Sequence, residues 1–438
     1  MPASASINGQ RWQLDDSFGS GGIVSTVFPG QDFAWGYAGA LQPDGRILVA
    51  GLASDFDNDV TASARYRQDG SLDTSYGDGG RVVLGPHALF RATAVTTQRV
   101  GGRDKIVIAA STTYRAPYRY RCSVIRLNAD GSLDTKQDGD PGISFGYDGV
   151  KVVEFPGNSG FCGGLTIDRD NKVVVTVEAD SNDGDVGVVR LLPRNGAYDM
   201  TFGDAGKATI AAGGYQVPGP VAVQSGRGAS GVVVGGLVSR AHGYDWALWR
   251  LKPDGTLDRS FGHDGRTLTP MYDANVPQSF ESVRALAVRG DGSIVASGDY
   301  RSWPAGADGP QDTAAVAAYT ADGTLDRSFG DHGRVHVPYD ARGNTSAADV
   351  TIDADGRILF GGSLAMPTSG AFIVGGWTSD GTPDRRFGPE GTLEFRGGGG
   401  PYDGAASIDL DSRGRIVLSG IYGLDLDDRF AVARLSLG

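Results

Sequence analysis

Four acid–base side chains in segments of variable sequence are the residues best suited to catalysis. His87 and His242 lie in such segments, whereas the other three of the five histidines lie in or beside repeated motifs. A histidine acts as a general base near neutral pH when a carboxylate orients or pairs with it. Asp245 and Glu281 are the carboxylates available for this role. As the alternative to a binding function, this set predicts a hydrolase or lyase acting on a saccharide or a small ester.

Aromatic and arginine side chains are concentrated in the same kind of segment. The densest is TTYRAPYRYR at residues 112–121, a basic stretch in an acidic protein. Aromatic rings stack on sugars, and guanidinium groups bind carboxylates and phosphates. The sequence therefore favours a recognition module that binds a glycan, a peptide or a protein partner. A purely structural repeat from a larger surface protein is the third hypothesis. The candidate ligand-binding residues of the recognition module are Trp35, Tyr37, Tyr114, Arg115, Tyr118, Arg119, Tyr120, Arg121, Tyr244, Tyr272, Tyr300, Arg301, Trp303 and Tyr402.

Metal and cofactor motifs are missing from the sequence. It has no clustered histidines and no HExxH, GxSxG or P-loop motif. We therefore predict no metal ligands and no cofactor. A structural Ca²⁺ ion stays open as an alternative, because three segments are rich in oxygen ligands. They are residues 55–60, 180–185 and 423–428.

Composition excludes several classes of protein. The 438 residues carry a formal net charge of −12, which disfavours binding to nucleic-acid phosphates. No run of about 18 apolar residues is present, so we predict no membrane span. Glycine, aspartate and arginine are abundant, whereas glutamate and lysine are scarce. This bias is typical of an all-β protein with many tight turns, and we expect a monomer.

A motif that recurs seven times provides the framework for these side chains. It reads LDDSFGSGG at residues 14–22 and LDRSFGHDG at residues 257–265, and an insertion splits its third copy. We interpret the repeated aspartate as a turn residue that accepts hydrogen bonds from backbone N–H groups two residues on. Seven blades need seven such turns, whereas one active site does not need seven copies of a catalytic residue. The recurrence therefore indicates a structural role. The aromatic residues of the copies are Phe18, Tyr76, Phe145, Phe202, Phe261, Phe329 and Phe387.

Each repeat contains four short apolar segments, which we label A to D in chain order. A and B flank a tight turn, as in ALQPDGRILVAG at residues 40–51. Four antiparallel strands recurring seven times predict a seven-bladed β-propeller. The D–A and B–C loops then share one face, the variable face, and the A–B and C–D turns share the other, the repetitive face. Specific chemistry is expected on the variable face.

The phase of the repeat predicts how the ring closes. The chain starts with a D strand at about residues 22–28 and ends with a C strand at residues 430–438. These two should pair and complete the seventh blade, which removes a free sheet edge. We therefore assign residues 12–438 to one propeller domain and residues 1–11 to a tail. Cys122 and Cys162 are expected to be two separate buried thiols, with a disulfide as the alternative.

These motifs resemble the bacterial delta-60 repeat family, whose unit reads roughly DGKI-V-AG followed by RL-x-x-DGSLD-x-SFG. The resemblance covers about residues 12–438 and implies a propeller scaffold. It supplies no catalytic residues, since a fold does not fix a function. It also implies a secreted, cell-surface or periplasmic protein, with a cytoplasmic location as the alternative.

Overall fold

All regular structure in the described part of the chain is β-strand, and the predicted seven-bladed β-propeller is confirmed. The computed structural model describes residues 10–84, 89–114, 119–135, 144–155, 160–180, 184–211, 216–226, 229–240, 243–271, 282–302, 309, 311–337, 342–424 and 427–438. The strands form seven antiparallel sheets, one for each blade. None of the described residues forms a helix that is long and apolar enough to cross a membrane.

Blades 1 to 6 each consist of four consecutive strands, which run in chain order from the innermost to the outermost. Blade 1 has β3 (Phe33–Leu41), β4 (Ile47–Ser54), β5 (Asp59–Tyr66) and β6 (Arg81–Leu84). Blade 2 has β7 (Leu89–Val100), β8 (Arg103–Tyr114), β9 (Arg119–Asn128) and β10 (Val150–Val153). Blade 3 has β11 (Cys162–Ile167), β12 (Val173–Asp180), β13 (Asp185–Leu191) and β14 (Lys207–Ile210).

Blade 4 has β15 (Gln216–Gly226), β16 (Ala229–Arg240), β17 (Gly243–Leu251) and β18 (Arg266–Thr269). Blade 5 has β19 (Ser282–Val288), β20 (Ile294–Ser302), β21 (Gln311–Tyr319) and β22 (Arg334–His336). Blade 6 has β23 (Asn344–Ile352), β24 (Ile358–Ala365), β25 (Gly370–Trp377) and β26 (Thr392–Phe395).

Blade 7 joins the two ends of the chain, as the phase of the repeat predicts. Its inner strands are β27 (Gly404–Leu410), β28 (Ile416–Leu424) and β29 (Asp427–Leu437). The outer positions are filled from the N-terminal side by β1 (Trp12–Leu14) and β2 (Ile23–Thr26). Both pair antiparallel with β29, so the ring closes through backbone hydrogen bonds.

The middle strands are buried because apolar residues follow one another along them. In β4 every residue is buried, whereas the inner strand β3 alternates between buried and half-buried positions. A strand that is covered on both faces has no solvent side and needs no polar alternation. The buried side chains form clusters that extend from one blade to the next, as expected for stacked sheets.

Every inner strand contains a break in register that the repeat did not predict. In blade 1, Gly36 pairs with Gly51 and Ala38 pairs with Ala50, which leaves Tyr37 as the extra residue. Breaks at the corresponding place occur in the other six blades. A bulge bends the strand and re-aims its extra side chain.

The repeated aspartates are turn residues, as predicted. The Oδ1 atom of Asp258 accepts the backbone N–H of Ser260 at 3.1 Å, and Asp326 does the same for Ser328 at 3.0 Å. Asp73 accepts the N–H of Ser75 at 3.2 Å. For Asp134, the described bonds come from the side chains of Lys105 and Arg126.

The expectation of two separate thiols is wrong, because Cys122 and Cys162 form a disulfide with their Cα atoms 4.8 Å apart. Cys122 lies on β9 of blade 2, and Cys162 begins β11 of blade 3. We expected the greater distance of the third strand from the axis to separate them. Neighbouring blades instead stack face to face, so the start of β11 packs on blade 2, where the N–H of Cys162 donates to Ser111 Oγ at 2.9 Å.

Candidate functional site

Three of the predicted ligand-binding residues come together on the variable face, between blades 7 and 1. Trp35 and Tyr37 lie on β3, and Tyr402 lies in the loop before β27. The ring centroid of Trp35 is 5.6 Å from that of Tyr402 and 6.2 Å from that of Tyr37. The two chain ends therefore both contribute to one aromatic site.

Two phenylalanines that were not among the predicted site residues extend this group. Phe33 lies 5.1 Å from Trp35 and 5.4 Å from Phe56, measured between ring centroids. We call Phe33, Trp35, Phe56 and Tyr402 the seam patch. The sequence does not single out Phe56, because it lies within residues 55–60, an oxygen-rich segment whose composition indicates calcium ligands and not an aromatic site. An aromatic residue at a B–C loop tip was the available signal.

The two outermost rings of the seam patch are largely open to solvent. Phe56 is 70% exposed and Tyr402 is 59% exposed, although exposed aromatic residues cost hydrophobic free energy. Phe56 also adopts a φ of 65°, a left-handed conformation that is unfavourable for a bulky residue. The carboxylate of Asp55 holds this turn by accepting the N–H of Asn58 at 2.6 Å. The fold thus keeps an apolar ring exposed at a conformational cost, which is a feature of binding sites.

Two buried carboxylates form hydrogen bonds that position the residues of the seam patch. The indole N–H of Trp35 donates to Asp428 Oδ2 at 2.7 Å, and Asp428 is only 6% exposed. Asp403 accepts the backbone N–H groups of Gly423 at 2.6 Å and Gly399 at 2.9 Å. Burial raises the pKa of both carboxyl groups above the usual range. These bonds fix Trp35 to blade 7 and fix the glycine-rich loop that carries Tyr402.

A cation already lies on one ring beside the seam patch. The guanidinium carbon of Arg91 is 3.9 Å from the ring centroid of Tyr37. Burial raises the pKa of Tyr37, and Asp59 and Asp428 add to the shift, whereas Arg91 opposes it. Tyr37 is therefore surrounded by aromatic rings, by one positive charge and by two negative charges.

The other described ligand-binding candidates do not join this site. Arg301 pairs with Asp312 at 2.9 Å, and Tyr300 lies beside the His336 ring at 4.8 Å, both in blade 5. Tyr244 lies in blade 4 and Arg121 in blade 2, where it is exposed. The backbones of Tyr114, Arg119 and Tyr120 lie in the β8–β9 hairpin. Outside the described residues lie Arg115, Tyr118, Tyr272 and Trp303.

Of the predicted acid–base set, the structure describes only Asp245. The other members lie outside the described residues: His87, His242 and Glu281. Asp245 faces Arg240, with 3.6 Å between its Oδ2 and the arginine Nε. Burial raises the pKa of Asp245. Catalysis by this set stays a prediction.

The described residues contain no group of three or more histidine, cysteine, aspartate or glutamate side chains placed to hold a metal ion. Residues 181–183 and 425–426, in two of the oxygen-rich segments, are not among them. The predictions about calcium and about cofactors therefore stay predictions.

Arginines at one position of the C strand link neighbouring blades, a role that the repeat did not reveal. Arg250 donates to Asp258 Oδ2 at 2.7 Å and lies over the Phe261 ring at 4.9 Å. It also donates to the carbonyl oxygen of Ala321, in the next blade, at 2.7 Å. The sequence signal was an arginine near the end of the C strand in five of the seven repeats. Equivalent arginines are Arg65, Arg126, Arg190 and Arg434.

Comparison with known proteins supports the fold. A family model described as a domain of unknown function (DUF5122) beta-propeller matches residues 42–76, 104–136 and 231–261. No curated protein matches the chain. The delta-60 name stays a prediction.

Two solved structures are similar to the chain at low sequence identity. A structure of the polysaccharide lyase Uly1 has a TM-score of 0.52 at 10% identity, covering 98% of each chain. Sqt1 from Chaetomium thermophilum, bound to the N-terminus of ribosomal protein L10, has a TM-score of 0.49 at 15% identity. That match covers 93% of this chain and 98% of Sqt1. At these identities the likeness concerns the fold alone. The repeats, the seven closed blades and the family match together place the chain among the β-propeller repeat proteins.

Proposed function

We propose that the protein is a recognition module that binds a glycan at the seam patch of its variable face. The observation that carries the proposal is the exposure of Phe56 and Tyr402 beside the half-buried Trp35. Exposed rings that are held by a rigid sheet lose little conformational entropy when a ligand stacks on them.

Polar groups at the same place suit a sugar better than a purely apolar ligand. Asp32 and Asp57 are exposed beside Phe33 and Phe56 in the sequence, and the exposed Arg91 stacks on Tyr37. A ring face that stacks on apolar C–H groups, with charged acceptors and donors at its edge, matches the two kinds of surface on a pyranose. Few polar groups then suffice to orient the ligand.

The test starts with a glycan array probed with the full chain, followed by calorimetric titration of any oligosaccharide that binds. Phe56→Ala and Tyr402→Ala should each weaken binding by about tenfold or more, since one stacking ring contributes roughly 1–2 kcal/mol. Tyr147→Ala is the matched control, because Tyr147 is 85% exposed but lies in a turn of the repetitive face. It should bind as the wild type does. Full binding by both patch variants, or an array without any bound glycan, would refute the proposal.

We also propose that the protein works outside the cytoplasm. The Cys122–Cys162 disulfide supports this, because disulfides form and persist in oxidising compartments. Fractionation of the native host, with the disulfide state read by mass spectrometry in each fraction, tests the location. Recovery from the cytoplasm with both thiols reduced would contradict it.

A further inference from the structure

The charges around the seam patch select among glycans, an inference that rests on the glycan-binding function proposed above. Three of its four rings have aspartates beside them in the sequence: Asp32 precedes Phe33, Asp55 and Asp57 flank Phe56, and Asp403 follows Tyr402. Asp59, Asp427 and Asp428 lie on the strands that carry the site. On the strands of blades 7 and 1, on the first strand of blade 2 and in the loop that carries Tyr402, the basic residues at this end are Arg91, Arg396 and Arg429. Arg119 and Arg121 lie farther out, on the third strand of blade 2.

Two of the three arginines at this end already face acidic partners. Arg429 is paired with Asp427, through Nε at 3.1 Å, and is therefore neutralised. Arg396 lies at the far end of its loop from Tyr402, where its Nε is 3.9 Å from Glu394 Oε1. Neither group is left to offset the aspartates of the patch.

The third arginine, Arg91, offsets one negative charge, because a guanidinium group keeps its charge when it lies over a ring such as Tyr37. The carboxylates that then remain outnumber it: Asp32, Asp55, Asp57, Asp59, Asp403 and Asp428. The formal charge of the patch is therefore negative, which attracts cations and repels anions.

The backbone gives no compensating anion site in the described loops of the patch. The glycine-rich stretch at residues 397–400 has the composition of a phosphate-binding loop. Its amide at Gly399, together with that of Gly423, is instead occupied by the carboxylate of Asp403. An internal anion thus fills the place that an external phosphate or carboxylate would need.

Arg91 is an example of a cation that binds an aromatic ring beside the seam patch. Its guanidinium group lies 3.9 Å from the centre of the Tyr37 ring, within the range of a cation–π interaction. Asp428 accepts the indole N–H of Trp35, and its second oxygen, Oδ1, is buried without a hydrogen-bond partner. Its charge therefore acts on the patch through space and not by direct contact. Aromatic faces with nearby carboxylates are the arrangement that proteins use to bind ammonium groups.

We propose that the ligand of the seam patch is a glycan that carries protonated amines, such as an oligomer of glucosamine, and that uronic-acid glycans are rejected. The sugar rings stack on Phe56 and Tyr402, and the ammonium groups lie towards Trp35 and the surrounding aspartates, since Arg91 already covers Tyr37. No covalent step is involved.

The experiment compares three oligosaccharides of equal length with the full chain by calorimetry. They are a glucosamine oligomer, its N-acetylated counterpart, which is uncharged, and a galacturonate oligomer. We expect the amine form to bind about fivefold or more tightly than the acetylated form, and the uronate to bind worst. Raising the salt from about 0.02 M to about 0.5 M should reduce the preference for the amine, because screening shortens the reach of the carboxylates.

Two charge variants test the role of the carboxylates. Asp428→Asn keeps an acceptor for the Trp35 indole but removes the charge, and Asp59→Asn removes a second charge nearby. Each should weaken binding of the amine form by at least about threefold more than binding of the acetylated form. Asp148→Asn, in an exposed turn of the repetitive face, is the matched control.

The outcomes separate this inference from the function on which it rests. If all three oligomers bind equally, or the uronate binds best, while Phe56→Ala abolishes binding, the charge selection is wrong and the glycan site stands. If the charge variants weaken the amine and acetylated forms equally, Asp59 and Asp428 act structurally and the selection is again wrong. If no glycan binds at all, both proposals fail.

Discussion

At the scale of single residues, the fold depends on arginines that each make three kinds of contact. The guanidinium group of Arg250 pairs with Asp258, lies over Phe261 and donates to Ala321 in the next blade. A buried charge is tolerated only where such contacts replace its hydration. Ala318 and Gly376 occupy the equivalent positions in blades 5 and 6, so those two blades lack this link.

Replacing one of these arginines should destabilise the ring strongly. Arg250→Ala leaves the carboxylate of Asp258 without its cation, and we expect the free energy of unfolding to fall by about 3 kcal/mol. Arg259→Ala is the control, because Arg259 and its partner Asp264 are 77% and 59% exposed. It should change stability by no more than about 1 kcal/mol. Denaturant titration of both variants measures this, and equal effects would contradict the role of the buried link.

A second residue-scale prediction concerns pH. Asp349 lies on the inner strand of blade 6, where its carboxylate accepts the N–H of Ile408 at 2.9 Å. Burial raises its pKa from 3.8 to about 7, and the neighbouring Asp409, with a pKa of about 6, adds to the shift. The folded state therefore binds this proton more tightly than the unfolded state, so stability falls as the pH rises from about 4 to about 7.

Asp349→Asn mimics the protonated acid and should remove much of that loss. Near pH 8 we expect the variant to be more stable than the wild type by roughly 2 kcal/mol, whereas near pH 4 the two should be similar. Thermal unfolding across this pH range is the measurement, with Asp148→Asn as the control in an exposed turn. A wild-type protein whose stability rises steadily from pH 4 to pH 7 would overturn the argument.

At the scale of elements, neighbouring blades are held by contacts between sheets rather than by the turns within them. The disulfide joins β9 of blade 2 to β11 of blade 3 and closes a loop with a sequence separation of 40 residues. It lies next to the hairpin that carries Arg121, so it also restrains one edge of the variable face. Cross-linking of this kind stabilises a fold mainly by restricting the unfolded chain.

Removing the disulfide should lower stability without changing the fold. Replacing both Cys122 and Cys162 by alanine is expected to cost about 2–4 kcal/mol. A reductant should lower the melting temperature of the wild type and leave the double variant unaffected. Titration of thiols in the unreduced, denatured protein checks the bond directly, and two free thiols would contradict it.

At the scale of the whole molecule, the ring is a closed array whose ends are joined in two ways. Backbone pairing of β2 with β29 closes blade 7, and Arg434 reaches back to Asp15 at 2.8 Å. The Trp35–Asp428 bond on the variable face joins residues 393 positions apart. A closed ring has no free sheet edge at its seam, whereas an opened one exposes β29 to pairing with other chains.

Deleting residues 1–27 should therefore expose the edge of β29. We expect a lower melting temperature, aggregation and the loss of any glycan binding, since the seam patch depends on the same closure. Deleting residues 1–9 is the control, because it leaves every described strand intact. Size-exclusion chromatography and thermal unfolding provide the readout. A monomeric, equally stable protein after the longer deletion would show that closure does not need β1 and β2.

The sequence by itself determined the architecture, because the necessary signals are local. Turn residues such as Asp258 and Gly262, with the apolar segments between them, recur in each repeat and specify four strands. Counting the aromatic positions gave seven blades, and the phase at the two ends predicted the pairing of β2 with β29. These features depend on contacts within one blade or on the order of strands along the chain.

Only the tertiary structure decided which side chains meet between blades. The pairing of Cys122 with Cys162, the reach of Arg250 to Ala321 and the assembly of Phe33, Trp35, Phe56 and Tyr402 all join separate repeats. Their geometry follows from the twist of each sheet, the bulge in each inner strand and the stacking of one blade on the next. No local sequence pattern encodes the relative positions of neighbouring blades. The sequence could therefore identify candidate residues of the variable face, but it could not predict which of them lie next to one another.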